Sequence, residues 1–224
     1  MKKLLNWLLD LLYPQKCIIC RKLLDDSGSA VCLHCLNTLP DYDGADPRVR
    51  FADRCAVTFF YEEPLRDSIL RFKFGGMRQY AVQYGRWMAH TIRDKLDGTY
   101  DLLSWAPVSD QRRRERGFDQ AELLCRETGR ALDVPVLRTL TKRVHTPAQS
   151  GLNDAAMRAA NVRGAYVPFE PDAFRGKRIL LIDDIVTTGS TLSECCRILL
   201  TAGAERVVCA ALAAPRKEQK GEPL

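Results

Sequence analysis

The segment Ile179 to Thr191, ILLIDDIVTTGST, holds the residues best suited to chemistry. Four apolar residues lead to two adjacent acids, Asp183 and Asp184, and a short hydroxyl-rich loop follows, Thr187-Thr188-Gly189-Ser190-Thr191. A helical pattern then begins. In a parallel sheet the ligand crevice lies at the carboxyl ends of the strands, which is where the two acids fall. Unpaired amides and the positive end of the helix dipole favour a phosphate at the loop. The Thr and Ser hydroxyls add donors, and Gly189 lets the backbone come close. Paired carboxylates one loop away from a phosphate can accept hydrogen bonds from vicinal sugar hydroxyls. One small ligand meets all these requirements: a ribose carrying a 5′-phosphate. Thr, Gly and Ser also serve as plain N-caps, and an Asp pair can simply end a strand; the succession of all four features in order favours the ligand. A Walker-type loop is excluded because no Lys follows Gly189, and G-x-G-x-x-G is absent.

A second set of chemical residues lies near the start. Cys17-x-x-Cys20 and Cys32-x-x-Cys35 are separated by eleven residues. Two such pairs bring four thiolates within tetrahedral reach, as in structural zinc sites. Asp25-Asp26-Ser27-Gly28 supplies a turn between them. His34 lies between two ligands and can replace one; a redox dithiol is the other reading, although one pair would suffice for it. A full thiolate shell leaves no open position, so this metal is structural and its binding energy is folding energy.

The remaining composition limits what can surround these groups. The chain has 224 residues, 46% hydrophobic and 28% charged, which is ordinary globular composition. Net charge is +6, a mild tilt toward anionic ligands. Nine cysteines suit a reducing, cytoplasmic setting with a metal site better than a disulfide framework. No apolar run reaches the roughly 18 residues of a membrane span. The start, MKKLLNWLLDLLYP, has a basic, apolar character, but Asn6 and Asp10 interrupt it and no small-residue cleavage site follows. Leu4, Leu5, Leu8, Leu9 and Leu12 fall at helical spacing, which predicts a short amphipathic helix lying on the body; a membrane-surface helix is the alternative.

Strand-like and helix-like segments alternate after a turn-rich linker, Pro40 to Pro47. Strands are expected from Cys55, Asp101, Ala160, Arg178 and Arg206, and helices from Pro64, Tyr80, Gly117 and Thr191. The run RILLID is continuously apolar, as in a strand covered on both faces. The pattern predicts an α/β fold with a mostly parallel sheet flanked by helices. The expected division is an N-terminal helix and zinc-ribbon-like module over 1–46, the main domain over 47–215, and a charged, frayed tail over 216–224.

The segment around Asp183 resembles the phosphoribosyl-diphosphate (PRPP) signature of type I phosphoribosyltransferases. RRRERGFDQAELL from Arg112, HTPAQSGLNDAAMRAANVRGAY from His145 and YEEPLRDSILRFKFGG from Tyr61 narrow the resemblance to the ComF family. The likeness implies a type I phosphoribosyltransferase-like domain behind a zinc module, and a role in DNA uptake during natural competence. It implies that Asp183 and Asp184 hold the ribose hydroxyls and that Thr187, Thr188, Gly189, Ser190 and Thr191 hold the 5′-phosphate. Pro107 and Val108 match the turn that faces the pyrophosphate, and Thr146 to Gly151 match a mobile hood. Two departures fall on the pyrophosphate side: Trp105-Ala106-Pro107 stands where the family often has Pro-Val-Pro, and Asp119 where it usually has Asn.

The implied reaction is displacement of pyrophosphate at the anomeric carbon of PRPP, through a cation-like state. It calls for charge neutralisation on the leaving group more than for a strong base. Mg²⁺ suits that task. Arg112, Arg113, Arg114, Arg116 and Lys73 can add cations, with Arg112 and Arg116 assigned to PRPP; no histidine is placed to act as base. Gln111 to Arg178 carries 14 Lys and Arg against 8 Asp and Glu, an excess equal to that of the entire chain. The same concentration of charge suits single-stranded DNA, with Phe72, Phe74, Trp105 and Phe118 available to stack on bases. Two readings therefore stand: a phosphoribosyltransferase with an unidentified acceptor, or a DNA-handling protein that retains the nucleotide fold and meets DNA-uptake proteins.

Overall fold

A computed structural model describes residues 15–24, 28–143 and 164–216. The N-terminal helix, the Asp25–Ser27 part of the zinc-module turn, the Thr146–Gly151 hood and most of the charged tail lie outside the described residues. The core is a four-stranded, all-parallel sheet in the order β1-β4-β3-β2, where the four strands are β1 (Cys55–Phe60), β2 (Leu102–Trp105), β3 (Arg178–Ile185) and β4 (Arg206–Ala214). Strands β3 and β4 occupy the centre, where both faces are covered. Alternation along β3 divides its side chains between two cores. Leu180 and Ile182 join one, while Ile179 and Leu181 join the other.

Helices α2 (Leu65–Phe74), α3 (Tyr80–Leu96) and α5 (Gln120–Leu132) cover the first face, and α6 (Ser190–Thr201) covers the second. They are flanked by two short helices, α1 (Leu33–Leu36) in the cysteine module and α4 (Asp110–Arg116) after β2. Helix α3 crosses α5 at Gly85, where a Cβ would come within 2.6 Å of Glu127 Cβ and 2.8 Å of the Thr128 amide nitrogen. Only glycine allows that approach. Both sheet edges are covered. The Tyr42 amide donates to Thr58 O at 3.0 Å on the β1 side, and Leu103 exchanges bonds with Pro135 and Leu137 on the β2 side. This keeps the edges from pairing with other chains.

Two features differ from the sequence expectation. The strand expected from Ala160 is confined, among the described residues, to Tyr166–Pro168, which pairs antiparallel with Leu140–Lys142 as a separate two-stranded ribbon. Three-residue strands carry too little periodicity to be read from sequence. The helix expected from Gly117 begins at Gln120, because Gly117 at φ 77° closes α4 and Asp119 caps the next helix.

Candidate functional site

Asp183 and Asp184 sit at the carboxyl end of β3, beside the end of β2. The chain then turns through Thr187 and Thr188 to Gly189, which stands at φ 72° as N-cap of α6. Gly189 provides no side-chain cap, and the first turn of α6 holds no acid. The Ser190 amide donates to Thr188 Oγ1 in a long bond, 3.4 Å, and the positive helix pole stands behind the loop. A small polar depression opens there, lined by Asp183, Thr187, Thr188, Gly189, Ser190 and Thr191 among others. Thr188 Oγ1 and Ser190 Oγ hydrogen-bond to each other at 2.9 Å within this loop. The loop is braced from behind. The Arg50 amide donates to Ser193 Oγ at 2.9 Å, and Arg48 O lies 3.0 Å from where a Gly189 Cβ would stand. This brace from the linker region carries no sequence signal.

Cations ring the acids. Lys73, from the last turn of α2, pairs with Asp184 at 2.9 Å, and both side chains are only 15% exposed. Arg112 and Arg116 lie half-buried one helical turn apart on α4, whereas Arg113 and Arg114 are exposed. Burial lowers the Arg116 pKa, and the nearby Asp184 offsets part of that shift. Burial and the neighbouring Arg112 likewise lower Lys142, while Asp183 pulls it back. Lys142 escaped sequence reasoning because its short strand precedes Asp183 by 41 residues. Burial and the charge on Asp184 push the Asp183 carboxyl up to about 8, against the opposing pull of the Asp184 amide and Lys73.

Pro107 and Val108 follow β2 directly beside the acids, since the Ala106 amide donates to Ile182 O at 3.0 Å. Asp119, the departure from the usual Asn, has a definite task. One carboxylate oxygen accepts from the Val108 amide at 2.9 Å and the other from the Glu122 amide at 3.2 Å, with the residue 4% exposed. It thus ties the Pro107-Val108 turn to the N-terminus of α5. An asparagine has one acceptor oxygen for these two donors. Asp119→Asn should therefore cost about 1–3 kcal/mol, the penalty for an unsatisfied buried donor. Urea denaturation measures it.

The four aromatics offered for stacking separate cleanly. Phe72, Trp105 and Phe118 are core residues. Phe74 alone is exposed, at 67%, with the Arg116 guanidinium 4.9 Å from its ring centre.

The cysteine module converges as its spacing requires. The Sγ atoms of Cys17, Cys20, Cys32 and Cys35 all lie within 4.8 Å of one another, and Cys20 to Cys32 is 3.7 Å. Zinc at the usual Zn–S length of about 2.3 Å needs tetrahedral S–S edges of about 3.8 Å. The residues present fit a structural zinc. His34 is exposed and lies outside the set. Burial pushes the Cys17 thiol up, but amide donors from Cys32, Cys20 and Ile19 outweigh it and bring the pKa to about 7. The other five cysteines are buried free thiols.

Comparison with known proteins follows the same division. Residues 127–223 match the phosphoribosyl transferase domain family, and residues 8–64 match the double zinc ribbon domain family. Competence protein F of Haemophilus influenzae is 32% identical over 183 residues, which are 79% of this chain and 75% of that protein. The DNA utilization protein YhgH of Escherichia coli is 29% identical over 151 residues, 66% of either chain. A solved glutamine PRPP amidotransferase from B. subtilis, complexed with ADP and GMP, is 19% identical with a TM-score of 0.41; the match covers 60% of this chain and 26% of that one. No described helix is long and apolar enough to cross a membrane. A double-CxxC module joined to a phosphoribosyltransferase-type sheet, with this identity to competence protein F across three quarters of its length, makes the chain a member of the ComF family.

Proposed function

We propose that the chain binds PRPP, or a closely related ribose 5-phosphate, and transfers the phosphoribosyl group to an acceptor with release of pyrophosphate. The observation that carries this reading is the succession at the end of β3: an acid pair held by Lys73, then a hydroxyl-lined loop at a helix N-terminus. Asp183 and Asp184 accept the ribose 2′- and 3′-hydroxyl protons. The amides and hydroxyls of Thr187 to Thr191 hold the 5′-phosphate. The acceptor attacks the anomeric carbon, the bond to the diphosphate oxygen breaks with its electron pair, and the acceptor gives up a proton. Arg112 and Arg116 offset the charge that builds on the departing diphosphate, which sits against Pro107 and Val108. Mg²⁺, if bound with the ligand, would supply further charge neutralisation, and Asp183 and Asp184 are the residues that would hold it.

The division into a 1–46 zinc module, a 47–215 domain and a 216–224 tail belongs to this reading, as does a cytoplasmic setting, which the free thiols support. A second use has its own observation. Exposed Phe74 beside Arg116 supports stacking and phosphate contact with single-stranded DNA, in keeping with the names of the competence and DNA utilization relatives.

Calorimetry on the zinc-loaded protein separates the two. Titration with PRPP and Mg²⁺ should give saturable 1:1 binding, and pyrophosphate release across candidate acceptors then identifies the transferase substrate. Short oligonucleotides should bind with salt dependence, weakened in Arg112→Ala/Arg114→Ala. A chain that binds DNA but not PRPP contradicts the enzymatic reading.

A further inference from the structure

Helix α2 touches both chemical centres of the molecule. On one side, Ser68 Oγ donates to Ile18 O at 2.5 Å, and Arg71 Nη2 donates to the carbonyls of Ile18, at 3.1 Å, and Ile19. Those carbonyls belong to Cys17-Ile18-Ile19-Cys20, whose two ends are metal ligands. Two residues beyond Arg71, Lys73 reaches Asp184. At 100° per residue, Lys73 projects about 200° around the helix from Arg71, on the opposite side. Leu65, Ile69 and Phe72 bury the remaining stripe in the core. In the last turn Phe72 packs on Tyr84 and Phe118, the Arg116 guanidinium lies 4.9 Å from the Phe74 ring centre, and Lys73 O accepts a long bond from Gln120, 3.4 Å.

We propose that α2 is a strut between the cysteine knuckle and the acid pair, and that Lys73 is an anion-binding residue of the ribosyl site whose position the knuckle sets. The inference rests on the ribosyl reading above and adds to it a residue and a dependence on metal.

The physical case begins with charge. A polyanionic ligand has to approach two carboxylates, and this is unfavourable unless cations compensate. Lys73 occupies Asp184 at 2.9 Å before the ligand arrives. When the sugar hydroxyls take over Asp184, the ammonium turns to the ligand's phosphate oxygens. A lysine suits this exchange, because its three donors rotate on a flexible stem. The knuckle enters because it fixes the rotation of α2 about its own axis. Backbone carbonyls in a loop clamped at both ends by one metal ion are rigid acceptors. Without the metal, nothing ties Ile18 and Ile19 to a single geometry, and Arg71 and Ser68 lose their fixed partners. Helix α2 can then turn, and Lys73 leaves the acids. Lys142 and Arg112 come from other elements, whereas Arg116 packs on Phe74 at the end of α2.

Two readouts on the full chain test this. The first is acetylation of lysines followed by mass spectrometry. Lys73 in the zinc-loaded protein should label at least fivefold more slowly than exposed Lys177. In Arg71→Ala it should label at nearly the Lys177 rate, with zinc content still one per chain. The second is PRPP titration with Mg²⁺. Lys73→Met should bind at least tenfold more weakly than wild type. Chelation of zinc should cost wild type a similar factor and cost Lys73→Met less than twofold. Circular dichroism of the chelated protein checks that the sheet is intact, and Arg71→Ala gives the same answer with the metal in place. Equal labelling of Lys73 in wild type and Arg71→Ala overturns the strut. Undiminished PRPP affinity in Lys73→Met overturns the binding role. If wild type binds no PRPP, the ribosyl reading fails and takes the binding role with it, while the labelling still decides the strut.

Discussion

Asp183→Asn/Asp184→Asn should lose PRPP affinity by a factor of 10² to 10⁴. Each carboxylate accepts a hydroxyl proton in a partly enclosed crevice, and hydrogen bonds to charged groups contribute about 1.5–3 kcal/mol apiece. Two together give about 3–6 kcal/mol, which converts to that range. Fold should survive, because both side chains sit at the end of a strand whose apolar residues precede them. Circular dichroism and zinc content check this. The single variants carry a further signature in pH. The Asp183 carboxyl is raised to about 8, with burial and Asp184 pushing it up and Lys73 opposing. Ionised carboxylates are the better acceptors, so affinity should rise as pH goes from 6 through 8 and then level off. Asp183→Asn should remove that slope.

Stability runs the other way. The folded protein holds the Asp183 proton to a higher pH than the unfolded chain does. Stability contributed at this position is therefore present at low pH and declines as pH rises from about 4 toward 8. Asp183→Asn should unfold at higher denaturant than wild type at pH 9 and show a smaller difference at pH 5. A site that binds PRPP equally well with both asparagines refutes the diol assignment, whatever the fold.

The second large effect is on the cysteine module. Removing zinc, or replacing Cys17 by serine, should disorder the described residues around the knuckle and lower the thermal midpoint of the whole chain. Structural zinc contributes about 10–16 kcal/mol to isolated finger peptides. The module is also continuous with the main core: Ile18, Ile19 and Val31 pack in one cluster with Leu65, Ile69, Phe72 and Tyr84. Unfastening the knuckle exposes apolar surface on both sides of that contact. One zinc per chain should be released on chelation, with a lowered thermal midpoint while the far-ultraviolet signal of the sheet is retained at room temperature. Acid should do the same, because the ligands bind as thiolates and protonation competes with the metal. A chain that releases zinc without any change in midpoint contradicts the folding role.

Much of this was legible because the informative residues are close in sequence. The apolar run, the acids and the hydroxyl loop are consecutive, so strand, crevice and helix start follow from thirteen residues. The two CxxC pairs likewise announce their geometry through spacing. What could not be read is what the tertiary fold brings together. Lys73 and Asp184 are 111 residues apart, and no local pattern links them. Lys142 comes from a three-residue strand with no periodicity to reveal it. Phe72 and Phe74 read alike as aromatics in a helix, yet one is buried at 0% and the other exposed at 67%. Asp119 stood out in sequence only as a departure, and its two amide partners explain the choice. Within the arginine run, Arg112 and Arg116 are singled out by the sequence, and these two are half-buried one helical turn apart while Arg113 and Arg114 are exposed.

The most direct test is a crystal structure of the zinc-loaded chain with ribose 5-phosphate. The phosphate should lie within hydrogen-bond distance of the backbone amides between Thr187 and Thr191, with the 2′- and 3′-hydroxyls on Asp183 and Asp184. A sugar phosphate bound elsewhere, with Lys73 still on Asp184 and the loop amides turned to other parts of the chain, would contradict the account.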